Sequence, residues 1–266
     1  MKPHALVITA PGINCDLELA QAFEAAGATV ESVPLVRLSR SPGIIDRFDL
    51  VGLPGGFSYG DDIAAGRVLA TLIRRSIYPA LHAAVERGCP MIAPCNGFQV
   101  AVQVGLLPGP GEGAAWPDEP PGPTVSLATN QSALFTDRWT PMEVDPGTHS
   151  VWTRGIDFSG EGGMLPSAHG EGRFVAQEGL LDDLEATGRV VLRYAEGANF
   201  NGSLRRIAGI CDGSGLVLGL MPHPERFTRW TQHPRWTRLD PALRTQDPPG
   251  LAMFRNAVRH ASGVPA

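Results

Sequence analysis

The stretch Met91-Ile92-Ala93-Pro94-Cys95-Asn96-Gly97-Phe98-Gln99 constrains this chain more than any other. Its first half is short and apolar, as a buried strand is. The run from Phe98 to Val104 is apolar and compatible with a helix. Between the two the backbone must turn sharply at Cys95-Asn96-Gly97. A small residue two places before a potential nucleophile and a glycine two places after it form a nucleophile elbow, here with cysteine in place of serine. The small flanking side chains let strand and helix approach while the central one projects from the sheet edge. A thiol at a helix N-terminus is biased towards the thiolate, the form that attacks carbon. A lone buried cysteine is ordinarily core filler; the strand–turn–helix context makes Cys95 a candidate nucleophile.

The segments around the elbow set the fold class. His4–Ala10 reads as a buried strand, and a helix pattern over Asp16–Ala26 closes at Gly27. Thr29–Leu35 and Phe48–Leu53 read as further strands, and Ile77–Arg87 as a helix leading into the elbow strand. Strands alternating with helices imply right-handed crossovers and a doubly wound, mostly parallel α/β sheet with flanking helices. In such sheets chemistry gathers beyond the carboxyl ends of the strands, where Cys95 and the loop Pro54-Gly55-Gly56-Phe57-Ser58-Tyr59-Gly60-Asp61-Asp62 both fall. The second half changes texture. β-prone runs at Val125–Thr129, Arg189–Tyr194, Ile207–Cys211 and Leu216–Leu220 either extend the first sheet or build a small antiparallel one beside it. A final helix is expected over Leu251–His260. The Pro- and Gly-rich residues 109–123 and the Trp- and Arg-bearing residues 228–250 read as surface excursions from one domain spanning 1–266. Gly109-x-Gly111-x-Gly113 lacks the strand-to-helix context of a phosphate loop.

Composition removes several classes of function. The net charge of −5, with no basic stripe, argues against a nucleic-acid footprint. Lys2 is the only lysine, which all but excludes Schiff-base chemistry. No apolar run approaches membrane-spanning length and the N-terminus carries no secretory h-region, so the cytoplasm is the expected compartment. The four cysteines, Cys15, Cys89, Cys95 and Cys211, fit no zinc spacing and should be free thiols, so no metal site is expected. Cys15, Cys89 and Cys211 are expected to tolerate Ala at a packing cost of about 1 kcal/mol. No Gly-x-x-x-x-Gly-Lys-[Ser/Thr] loop is present to bind ATP.

A cysteine nucleophile needs a proton acceptor, and the acceptor an orienting group. His223 follows a strand candidate in Met221-Pro222-His223-Pro224-Glu225-Arg226, held between prolines, with the Glu225 carboxylate two residues on. The order Cys, His, Glu is acceptable because geometry, not chain order, defines a triad.

These residues resemble the class I (triad) glutamine amidotransferases. Within that family the chain is similar to the branch of glutaminase subunits that serve phosphoribosylformylglycinamidine synthase in purine biosynthesis. The resemblance rests on Asn14-Cys15-Asp16, the Gly-Gly-Phe-Ser-Tyr-Gly-Asp loop at 55–61, Cys95-Asn96-Gly97-Phe98-Gln99 and Gly105-Leu106-Leu107-Pro108. His169-Gly170-Glu171-Gly172-Arg173, Asn201-Gly202-Ser203 with Ile207-Ala208-Gly209-Ile210, and Met221–Arg226 extend it over nearly the whole chain. Ala93-Pro94 departs from the Gly and aliphatic residue usual before the nucleophile, and the two excursions match only the longer members.

The resemblance implies a flavodoxin-like fold and hydrolysis of glutamine through a Cys95 thioester, with His223 as base and acid and Glu225 orienting it. It implies an oxyanion hole from the backbone N–H groups of Gly56 and Asn96, with Gly55, Gln99 and Ser58 as candidates for holding glutamine. His169 and Glu171 either cap a loop or serve partner contact and ammonia passage. A separate large synthetase subunit carrying ATP and magnesium, and a small third subunit, are the implied partners. The alternatives are a cysteine hydrolase or chaperone-like protein of the same fold, and a non-catalytic interaction subunit.

Overall fold

The computed structural model describes residues 2–61, 63–111 and 113–264; Asp62 of the Pro-Gly-Gly loop, Glu112 of the first excursion and the chain ends lie outside the described residues. In chain order the elements are β1 (His4–Thr9), α1 (Asp16–Ala26), β2 (Thr29–Pro34), α2 (Leu35–Arg40), β3 (Leu50–Gly52), α3 (Arg67–Ser76), α4 (Tyr78–Glu86), β4 (Met91–Pro94) and α5 (Asn96–Val104). They continue with β5 (Val125–Thr129), β6 (Thr136–Val144), β7 (Met164–His169), β8 (Glu171–Ala176), α6 (Glu178–Ala186), β9 (Val190–Tyr194), β10 (Ile207–Cys211), β11 (Val217–Leu220) and α7 (Pro249–Ala261).

Nine strands form one sheet in the order β2-β1-β3-β4-β11-β10-β9-β6-β7. From β2 to β11 every neighbour is parallel, the expected doubly wound half. From β11 to β7 every neighbour is antiparallel. Three of the four late β-prone runs therefore extend the first sheet, and Val125–Thr129 pairs with β8 in a separate two-stranded ribbon. β1 shows why the parallel half is stable: Ala5, Leu6, Val7 and Ile8 are all fully buried, because helices cover both faces. Each large side chain so removed from water contributes about 2 kcal/mol.

One helical layer pairs α1 with α7, where Phe23 meets Phe254 edge to face at 5.2 Å. The other packs α3 against α4 and α5. The first excursion is tied down by Arg74, whose guanidinium donates to the carbonyls of Pro120 and Pro121 at 2.8 and 2.6 Å. The second contains short 3-10 turns at Trp230–Gln232 and Pro241–Thr245 and stays ordered against Trp139 and Phe227.

Candidate active site

Four parallel strands, β1, β3, β4 and β11, send their carboxyl ends to one edge of the sheet, and the candidate residues leave from those ends. The chain leaves β4 at Cys95 with φ 52° and ψ −111°, a left-handed turn that costs a cysteine about 1–3 kcal/mol. Neighbours enforce it. The Cys95 N–H donates to the Leu220 carbonyl at 2.7 Å, while its own carbonyl accepts from Phe98 and Gln99 to open α5. Gly97 permits the helix to sit down on β3: a Cβ there would stand 2.0 Å from the Leu53 carbonyl oxygen. Ala93-Pro94 is accommodated as the last pair of a fully buried strand, with Pro94 in register with Leu220. The Cys95 thiol points across to the Ala168 carbonyl at the end of β7, 3.6 Å away.

β11 delivers the histidine. Its backbone N–H donates to Pro166 at 2.7 Å, and Pro224 follows in a 3-10 turn that returns Glu225 to the ring. Nδ1 of His223 and Oε1 of Glu225 are 2.6 Å apart, and each residue is 2% exposed. Burial alone would discharge the ring. The Glu225 carboxylate and the sulfurs of Cys95 and Cys15 outweigh it and hold the His223 pKa well above its usual value. Cys95, distant in sequence, is thus brought together with His223 and Glu225.

Beyond β3 the chain runs through Leu53 into Pro54-Gly55-Gly56. The Gly55 carbonyl accepts from Cys15 N–H at 3.3 Å, so the N–H of Gly56, on the other side of the same peptide, is turned away from that bond. Gly56 has φ 131°, and a Cβ on it would collide with the Asn14 backbone nitrogen at 2.7 Å, so only glycine fits. Asn96 opens α5, and its N–H has no acceptor within the helix. Gly55 lies against the His223 ring, with an added Cβ 3.0 Å from Cε1. Ser58 is buried, and its N–H donates to Asn96 Oδ1 at 3.3 Å. Gln99 faces the cavity, but its amide is engaged on both sides: Oε1 accepts from Asn96 Nδ2 at 2.9 Å and Nε2 donates to the Glu171 carbonyl at 2.5 Å.

His169 and Glu171 face the same cavity from the β7–β8 turn. Asn130 uses its Nδ2 on the carbonyls of Leu134 and His169, which leaves Oδ1 to accept from His169 Nδ1–H at 3.1 Å. Burial first, and the neighbouring His223 second, lower the His169 pKa to about 4, so this ring is neutral.

Cys15 is the residue whose place the sequence did not reveal. Rather than a packing thiol, it lies in the cavity wall, with Arg226 Nη2 donating to its sulfur at 3.0 Å. The hints were its position just past β1, where parallel sheets gather chemistry, and its place in the Asn14-Cys15-Asp16 segment of the resemblance. Cys15, His223 and Glu225 offer ligand atoms within 4.8 Å of one another. The Arg226 cation on the sulfur and the Glu225–His223 bond already occupy that set, which reads as a base and its partners rather than a metal centre. Cys89 and Cys211 match the packing role: burial foremost pushes Cys89 up to about 12 and raises Cys211 too.

The cavity has a volume of about 360 Å³, room for one small polar molecule. Its mouth is flanked by Phe57 and Phe135, which are 49% and 56% exposed with ring centroids 6.3 Å apart.

The chain is similar to known proteins in sequence and in fold. Residues 2–261 match the family described as CobB/CobQ-like glutamine amidotransferase domain. The chain is 39% identical to phosphoribosylformylglycinamidine synthase subunit PurQ of Dehalococcoides mccartyi, over 99% of each. It is 32% identical to the protein of the same description from Methanococcus maripaludis strain S2 / LL, over 97% of each. Among solved structures, PurLQS from Thermotoga maritima superposes with a TM-score of 0.70 at 32% identity, covering 97% of this chain and 99% of that one.

Proposed function

This chain belongs to the CobB/CobQ-like glutamine amidotransferase family, and from that premise we propose how its geometry releases ammonia from glutamine. The chain is the glutaminase subunit of phosphoribosylformylglycinamidine synthase. It supplies ammonia to a separate ATP-dependent subunit that converts formylglycinamide ribonucleotide to formylglycinamidine ribonucleotide. The observation that carries the chemical reading is the 2.6 Å bond from His223 to Glu225 behind a cysteine held in a strained elbow.

Glutamine enters past Phe57 and Phe135 with its side-chain amide towards Cys95. His223 takes the proton of the Cys95 thiol, the sulfur forms a bond to the amide carbon, and the carbonyl π electrons move onto oxygen. The N–H groups of Asn96 and Gly56 receive that oxyanion, each stabilising it by about 3 kcal/mol. The first turn of α5 adds the positive end of its dipole. His223 gives a proton to the amide nitrogen, the C–N bond breaks, and ammonia leaves a glutamyl thioester. His223 then takes a proton from water, hydroxide adds to the thioester carbon, the C–S bond breaks, and glutamate departs. Glu225 fixes the imidazole tautomer throughout and supports its cationic form. Gly55 seats the His223 ring. Ser58 and Gln99 act through Asn96, keeping the start of α5 in place beneath the substrate, rather than gripping glutamine themselves.

ATP and magnesium belong, in this reading, to the synthetase partner. The Thermotoga maritima relative is described as PurLQS, and we assign this chain a small third partner as well. Four free cysteines suit a reducing compartment, and among the described residues no helix is long and apolar enough to cross a membrane. We place the protein in the cytoplasm. The test is isotopic: with amide-¹⁵N glutamine and ATP, the reconstituted complex transfers the label into the amidine. Label found only in free ammonia, or no hydrolysis at all, rejects the function.

A further inference from the structure

One wall of the candidate active site is shared with a neighbouring space. Ala65, Gln99 and Glu171 line the site and also a second cleft, of about 640 Å³, between α5 and the β5–β8 ribbon. Across that shared wall runs a hydrogen bond from Gln99 Nε2 to the Glu171 carbonyl, the seam between the two spaces. One helical turn further along α5, Gln103 lines the second cleft. Its Nε2 donates to the Ala65 carbonyl at 2.8 Å, but its Oε1 is buried without a partner among the described residues. A buried amide oxygen left without a donor is costly and marks a place where an N–H group belongs.

Cys95, Gln99 and Gln103 are spaced four residues apart and share one face of α5, each step about 6 Å along the axis. We infer that ammonia leaves through this seam: Gln99 swings off Glu171, and Gln103 Oε1 receives an N–H of the passing molecule in the second cleft. The inference rests on the glutaminase reading above.

Two further observations fit. Once glutamine is held as the thioester on Cys95 it still fills the mouth between Phe57 and Phe135, so the released nitrogen needs another way out. The second cleft also suits neutral ammonia. Apart from Glu171 in the shared wall, its one ionic side chain among the described residues is Arg67, a cation that disfavours ammonium. The seam requires no rearrangement of α5 or the sheet, only rotation of the Gln99 side chain.

The experiment uses the assembled complex with its synthetase subunit, isolated by gel filtration, and two variants outside the catalytic set. Gln103→Glu places a carboxylate where the orphan oxygen lies, to trap ammonium. Ala128→Trp fills the cleft from β5, and should one variant fail to assemble, the other carries the test. Glutamate release, amidine formation from glutamine, and amidine formation from added ammonia are measured for each. The inference predicts near-native glutamate release and ammonia-fed synthesis, with glutamine-fed synthesis reduced several-fold and the missing ammonia found in solution. One glutamate per amidine, as in the native complex, overturns the route, whether both rates hold or both fall together. A native complex that releases no glutamate overturns instead the glutaminase reading on which the route rests.

Discussion

Replacing Glu225 by Gln isolates the contribution of one charge to the proposed chemistry. The substitution keeps side-chain shape and leaves an oxygen able to accept from His223 Nδ1, so the fold should persist. What it removes is the attraction between a carboxylate and the imidazolium form of a ring 2.6 Å away, both groups 2% exposed. With an effective dielectric of about 20, that attraction is worth about 6 kcal/mol. The amide retains part of it as a neutral hydrogen bond of about 1 kcal/mol. The difference of about 5 kcal/mol corresponds to a fall in kcat of roughly 10³–10⁴. The direction of the His223 shift agrees. Burial favours the neutral ring, which cannot protonate the leaving nitrogen, and the Glu225 carboxylate is the strongest of the neighbours that oppose it. The assay is steady-state glutamate release by the complex at saturating glutamine, with circular dichroism to verify the fold. KM should change little, because Glu225 does not line the substrate cavity. A kcat within tenfold of native, with an intact fold, would refute the assignment and move the orienting role elsewhere.

Other expectations are briefer. Cys15→Ala removes the sulfur that accepts from Arg226 and stands beside His223, so kcat for glutamate release should fall about tenfold or more; Cys89→Ala and Cys211→Ala should leave kcat unchanged and cost about 1 kcal/mol each in denaturant unfolding. His169 should limit acid stability. Its folded pKa is about 4 against an ordinary 6.5, so the folded ring stays neutral while the unfolded one takes a proton. Stability from this group is complete above about pH 6.5 and is lost as pH falls towards 4, by about 3 kcal/mol in all. Urea unfolding at both ends of that range should show His169→Gln losing about 3 kcal/mol less than native on acidification. An equal loss in both proteins would assign the acid sensitivity to other groups.

The parallel half of the fold was legible because local chemistry and tertiary placement agree there. Helix α1 ends at Ala26 with Gly27 in the left-handed conformation, as the sequence indicates. The Cys95 elbow falls where the small residues around it require. The antiparallel half was less legible. Strand β6 carries Asp137 and Arg138 exposed to solvent and Pro141 in its interior, which erases the alternation that reveals a strand. Helix α3, with Arg67, Arg74 and Arg75 around a narrow apolar stripe, escaped notice, although Leu69, Ala70 and Ile73 are its buried face. In the site, Cys95, His223 and Glu225 were legible because the chemistry dictates residue type, and the strand–turn–helix context of Cys95 and the prolines around His223 are local signals. Cys15 was not, since its role depends on Arg226, more than two hundred residues away, laying a guanidinium on its sulfur. Nor could the sequence indicate that Gln99 spends its Nε2 on the Glu171 carbonyl, because that bond exists only once β8 folds against α5.

The most direct test of the account compares two nitrogen sources in the Cys95→Ala complex. The thiol is the group in the proposed site that bonds covalently to glutamine, and ammonia-fed synthesis bypasses it altogether. The account predicts that amidine formation from glutamine disappears while formation from added ammonia continues at the native rate. Glutamine-fed synthesis persisting above background in that complex would contradict it.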